Sequence, residues 1–128
     1  MRWCFEDHSP YADQILSNVI AGSKACVPQL WLYEVISVMA ESQRRGALSA
    51  DKARDFFEDL RSLDIEVDRE ADREHIFGSA HPLAVRYRLS GYDAAYLELA
   101  IRRRLPLASL DHELNNAASE AGVVLVET

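Results

Sequence analysis

The sequence predicts a three-layer α/β/α domain around a central parallel sheet, and three observations carry that expectation. Short apolar runs, "ACV" (Ala25 to Val27), "LPLASL" (Leu105 to Leu110) and "VVLV" (Val123 to Val126), do not alternate with polar residues. Strands buried on both faces read that way. Amphipathic segments separate these runs in the strand–helix–strand order that gives parallel pairing. The crossovers are then right-handed.

The elements follow in order. Ser9 and Pro10 open a helix near Tyr11 to Ala21, with Pro10 in its first turn, and Gly22 closes it. "ACV" is a short strand ended by Pro28. A helix runs from about Leu30 to Arg45 and stops at Gly46. Ser49 is a good N-cap for a helix to about Leu63, and "IEV" (Ile65 to Val67) is the next strand. Arg69 to Arg88 is helical, split or kinked at Gly78 and Pro82. Ser90 with Asp93 has the spacing of a capping box and starts a helix to about Arg103. "LPLASL" is a strand, Asp111 to Ala121 a helix, and "VVLV" a last strand.

With 128 residues and no linker, repeat or low-complexity tract, the chain reads as one domain. No apolar run approaches the ~20 residues that span a bilayer, and no signal layout opens the chain, so the expected home is the cytoplasm. Cys4 and Cys26 have no metal-type spacing and are expected as reduced, partly buried thiols. The net charge of −7, from 21 acids against 14 bases, argues against a general nucleic-acid coat protein. It leaves room for an enzyme that holds cations among acids and meets RNA through one local basic strip.

Three acids fall on the edge where strand C-termini and helix N-termini meet, the ligand edge of open α/β folds. Glu34 lies in the first turns of the helix after "ACVP", Asp93 begins its own helix, and Asp111 directly follows "LASL". Each has a local explanation. Asp93 completes a capping box, and Asp111 caps the last helix. Glu34 is harder to place, because Leu30, Trp31, Val35 and Val38 put it on an apolar face with no Lys or Arg one turn away. An unpaired buried carboxylate is costly. A cation shared with Asp93 and Asp111 resolves all three, and oxygen-only ligands suit Mg2+ or Mn2+. The implied chemistry is metal-dependent hydrolysis of a nucleic-acid backbone.

"VPQLWLYEV" around Glu34, "SGYDAAYLELA" around Asp93 and "LPLASLD" ending at Asp111 resemble the PIN-domain ribonucleases, most closely the VapC-type toxins of bacterial toxin–antitoxin pairs. The resemblance runs through the "AAxxAGV" pattern at Ala117 to Val123. It implies a PIN-like fold and a Mg2+- or Mn2+-dependent endoribonuclease acting on structured RNA, commonly tRNA or ribosomal RNA. It also implies a cognate VapB-like antitoxin in the active-site groove and often a homodimer. By motif, Glu34, Asp93 and Asp111 are metal-site carboxylates, and Ser109 stands where the family carries a small hydroxyl residue near the site.

One departure is expected to matter. The family opens with a strand ending in an acid, as in "VVDAS", then a helix ending in a pattern like "LKWFFED". Here "WCFED" (Trp3 to Asp7) matches that helix end, so the first strand and its aspartate are expected to be missing and the domain truncated at its N-terminus. Glu6 and Asp7 would then follow a helix, towards the wrong edge. Three acids instead of four imply weak or absent cleavage by this chain. The competing function is an inactive, truncated or degenerate PIN domain that binds an antitoxin or another subunit.

The remaining candidates are weaker. Arg102-Arg103-Arg104 is the one dense basic run, read as complementing a helix dipole at the end away from the acids. Glu98 has the i,i+4 spacing to pair with Arg102 at the surface. Tyr92 and Tyr96 flank the proposed site and either stack on RNA bases or join the core. His112 is expected in an exposed loop. No Gly-rich phosphate loop or nucleophile elbow is present.

Overall fold

The computed structural model describes residues 2–5, 24–109 and 111–126, the first four as backbone only. Four parallel strands, β1 (Arg2–Phe5), β2 (Lys24–Val27), β3 (Ile65–Val67) and β4 (Leu107–Ala108), lie in the order β3-β2-β1-β4. Outside β4, Leu125 adds one parallel bridge to Leu107. The predicted last strand is therefore a single pairing. Pro106 bounds β4 to two residues, where "LPLASL" promised six, because proline has no N–H to give a ladder. The helix expected near Tyr11 to Ala21 lies outside the described residues.

The centre of the sheet corrects the sequence reading. β1 pairs β2 on one side, Cys4 opposite Cys26, and β4 on the other, Phe5 opposite Ala108. The first strand was expected to be missing and Trp3 to Asp7 to end a helix; instead Arg2–Phe5 fills the central place. Without it, β2 and β4 would each present an unpaired edge. The premise that set Glu6 and Asp7 after a helix falls with this correction, and both residues lie outside the described ones.

Strand parity defines the layers. Ala25, Cys26 and Val27 are all fully buried although successive side chains point to opposite faces, so both faces of β2 are covered. On one face, α1 (Gln29–Arg44) and α2 (Ala50–Ser62) bring Trp31, Val35, Phe57 and Leu60 against Ile65 and Val67. The other face carries Cys26 and its register partner Glu66, and Arg103 of α5 (Gly91–Arg103) reaches Glu66 there. The α/β/α order is thus the one predicted. Cys26 is a buried thiol whose Sγ–H donates to Glu66 Oε2 at 3.6 Å.

The helix starts follow the expected caps. Ser49 Oγ accepts the Lys52 N–H, and Ser90 Oγ accepts the Asp93 N–H; such a cap contributes about 1 kcal/mol. Between β3 and α5 the chain forms a short turn, α3 (Arg73–His75), a π-helical segment (Ile76–Ala80) and α4 (His81–Tyr87). Gly78 and Pro82 were expected to split or kink this stretch. The turn widens instead: the His81 N–H reaches back five residues to the Ile76 carbonyl just before Pro82, which has no N–H of its own.

Glu98 also departs from expectation. It pairs with Arg102 at 2.8 Å, but it is only 6% exposed, not a surface partner. Arg102 bridges it to Asp68, 4% exposed, at 2.7 Å. Arg103 joins Glu66 and reaches Glu70 at 2.9 Å. Burial alone pushes the Asp68 carboxyl up. The Arg102 hydrogen bonds, the Glu70 N–H and the two guanidinium charges together hold it below the usual carboxylate range.

Candidate functional site

Phe5, Val27, Val67 and Ala108 end the four strands at a common level, since the register sets Phe5 beside Ala108 and Val27 beside Val67. What leaves this edge carries the predicted acids. Pro28 leads straight into α1, whose second turn holds Glu34. Asp93 is the third residue of α5. Asp111 is the N-cap of α6 (His112–Glu120).

Asp111 is held by its own turn. Its carboxylate accepts the Leu114 N–H at 3.0 Å, and its N–H donates to Ser109 Oγ at 3.0 Å. Asn115 Nδ2 donates to the Ser109 carbonyl, also at 3.0 Å, which ties the turn to the helix it starts. Ser109 is 7% exposed. The hydroxyl predicted near the site therefore supports the Asp111 turn.

Asp93 is half-buried and its carboxyl is raised above the ordinary range. Burial is the largest cause, the Asp111 charge is next, the Ser90 hydroxyl opposes both, and Glu113 adds to the rise. Asp93 and Asp111 are therefore near enough to feel each other, and neither has an ion-pair partner among the described residues. Glu34 is half-buried, and the hydroxyl of fully buried Tyr96 donates to its Oε1. Tyr96 lies one turn after Asp93, so it links α1 to the helix that carries Asp93.

The structure thus sets Asp93 beside Asp111 and couples Glu34 to their helix through Tyr96. It does not close the three into one cage: among the described residues, no three His, Cys, Asp or Glu side chains are already gathered into a ready metal site. The fit to a hard divalent cation rests on the donor set. Two half-buried like charges without a cationic neighbour are stabilised by one.

Three participants escaped the sequence reading. Glu113 is an acid in the first turn of α6, and Asn115 stands at i+4 from Asp111, the spacing that returns to the same helix face. Tyr96 was weighed only as stacker or core; it is core with its hydroxyl on the site. Tyr92 is 72% exposed; His112 is exposed as expected, but as the first residue of α6 rather than in a loop. Tyr92 lines a cavity of about 420 Å3 with Leu30, Arg69, Ala95, Glu98 and Arg102.

An open parallel α/β domain with acids on the carboxyl edge of its sheet defines a class whose ligands bind at that edge. A PIN-domain family model matches residues 3–120. The chain belongs to the PIN-domain family, whose members are generally metal-dependent nucleases. It is similar to the crystal structure of PAE2754 from Pyrobaculum aerophilum, with a TM-score of 0.66, 22% identity, and coverage of 91% of this chain and 87% of that one. At that identity the likeness is one of fold. No curated protein matches the chain.

Proposed function

We propose that the chain is a VapC-type endoribonuclease that hydrolyses phosphodiester bonds of structured RNA, tRNA or ribosomal RNA, at the carboxyl edge of its sheet. The observation that carries the reading is the Asp93–Asp111 pair, two acids from segments 18 positions apart, the charge of Asp111 adding to the burial that raises the Asp93 carboxyl. Asp93, Asp111 and Glu34 would hold Mg2+ or Mn2+, with Tyr96 orienting Glu34 and Ser109 orienting Asp111. A divalent ion in such a site supplies a Lewis acid for the phosphoryl oxygens and a water of lowered pKa. Tyr92, exposed at the start of α5, offers a ring on which an unpaired base stacks.

The same reading includes a cognate VapB-like antitoxin, a homodimer and a cytoplasmic setting. An apolar strip on α1 supports a protein partner: Leu32, Tyr33 and Ile36, which share one helix face, are 42%, 67% and 49% exposed. Such strips on soluble proteins mark interaction surfaces. Among the described residues, no helix is long and apolar enough to cross a membrane.

A second reading, an inactive PIN domain that serves as a binding module, draws support from the acids among the described residues, which do not close into one cage. Incubating the chain with structured RNA in Mg2+, in Mn2+ and in EDTA separates the two. The nuclease reading expects cleavage in either metal, none in EDTA, and none from Asp93→Asn. Metal-independent products, or cleavage that survives Asp93→Asn, would reject it; an intact RNA throughout would favour the binding module.

A further inference from the structure

We propose that Arg86 and Arg88 form a separate contact for the RNA backbone, gripping phosphates of the strand that runs alongside the Asp93–Asp111 edge. This rests on the nuclease reading and adds to it the surface that receives the substrate's charge.

A chain of net charge −7 repels a polyanion unless a local cationic strip meets it. The dense run in the sequence does not supply that strip. Arg102 and Arg103 are 18% and 20% exposed and are taken up by Asp68, Glu98, Glu66 and Glu70. Arg104 ends α5, at the opposite end of that helix from Asp93. Lys24, Arg44, Arg45, Arg54 and Arg73 have carboxylate partners. Among the described residues Arg86 and Arg88 are exposed and without an ion pair, as are Lys52, Arg61 and Arg69; of these five, only Arg86 and Arg88 directly precede the helix that carries Asp93.

Their place in the fold is the second argument. Arg86 lies in the last turn of α4 and Arg88 is its C-cap. Two residues later Ser90 caps the helix that carries Asp93. Arg86 and Arg88 line a groove of about 310 Å3 whose far wall is α6, with Glu113, Asn116 and Glu120. Glu113 is close enough to Asp93 to raise its carboxyl, so the groove opens beside the acids.

Chemistry is the third. The Arg86 guanidinium lies 5.3 Å from the centre of the Tyr87 ring. Stacking occupies the face of the guanidinium and leaves its in-plane N–H groups free for bidentate phosphate recognition. Dipole complementation at a helix C-terminus favours a cation at both positions, but it does not take up their N–H groups, which stay available to an anion.

The test measures binding of a fluorescein-labelled RNA hairpin to the full chain in EDTA over a salt series, then steady-state cleavage in Mg2+. R86A/R88A is expected to weaken binding about tenfold and to flatten the slope of log K against log salt by about 1.4 to 1.8, two contacts' worth on loop or stem. KM should rise while kcat holds. R54A/R61A removes the same charge from α2 and is expected to change affinity less than about twofold. Should R86A/R88A fold poorly, Arg86→Gln with Arg88→Gly serves, since Arg88 has φ 56 and glycine accepts that backbone freely. Wild-type affinity and slope in the Arg86/Arg88 variant, or equal weakening in R54A/R61A, overturns the contact while cleavage by the wild type leaves the nuclease reading standing. Failure of the wild type to bind any RNA overturns both.

Discussion

The hydroxyl of Tyr96 donates to Oε1 of Glu34, 62 residues earlier, and Tyr96 has no exposed surface. A phenol in the core thereby fixes a half-buried carboxylate that has no lysine or arginine one helical turn away. Tyr96→Phe keeps the packing and removes the donor. A hydrogen bond to a charged group is worth about 1.5–3 kcal/mol, so urea denaturation should register a loss of that order. The Mn2+ concentration giving half-maximal cleavage should rise. Unchanged stability and unchanged metal response together would remove Tyr96 from the site.

Asp93 ties stability to pH. Its carboxyl is raised above 3.8, so the folded chain holds that proton more tightly than the unfolded one does. The ionised form therefore costs stability at neutral pH, and the cost disappears as pH falls through the folded value to below 3.8. In EDTA, Asp93→Asn should be more stable than the wild type at pH 7, and the difference should close near pH 3. A wild type that is the more stable protein at pH 7 would show that the Asp93 charge is not penalised.

Asp111 has two duties that substitution can separate. Its carboxylate caps α6 through the Leu114 N–H, and in the proposed mechanism it also binds the ion. Asparagine caps as well as aspartate does, whereas alanine loses about 1 kcal/mol. Both Asp111→Asn and Asp111→Ala should abolish cleavage, yet only the alanine variant should melt lower. Full activity in Asp111→Asn would leave the residue a cap alone.

Arg102 holds two buried carboxylates, Asp68 and Glu98. Removing one partner of a buried ion pair typically costs about 3–5 kcal/mol, so Arg102→Ala should be severely destabilised or fail to fold. Because the Asp68 carboxyl lies below 3.8 in the folded state, its pairing contributes fully above that pH and is lost as pH falls through the folded value. The gap between wild type and variant should therefore narrow in acid denaturation. An Arg102→Ala protein as stable as the wild type at pH 7 would mean the network is incidental.

What could be read in the sequence was what local chemistry decides. Ser49, Ser90 and Asp111 announce their helices because a cap needs only the next three residues. β1 was misread because "WCFED" was matched to the family's helix end, and the three apolar residues Trp3 to Phe5 are too few to show a period that would tell a helix end from a strand. Only its neighbours β2 and β4 decide between the two. Glu98 was read as wet because its spacing to Arg102 is visible, while the approach of Asp68, 34 residues from Arg102, is not. The edge that gathers the acids followed from topology. How closely they gather did not, since Tyr96 takes hold of Glu34 from another helix.

The central claim is that Asp93, Asp111 and Glu34 together bind a divalent ion. Calorimetric titration of the EDTA-stripped chain with Mn2+ tests it without any RNA. The account predicts one ion per chain, with binding at least about tenfold weaker once Asp93→Asn and Asp111→Asn remove the two ligand charges. No bound ion, or equal binding by the double variant, would contradict it.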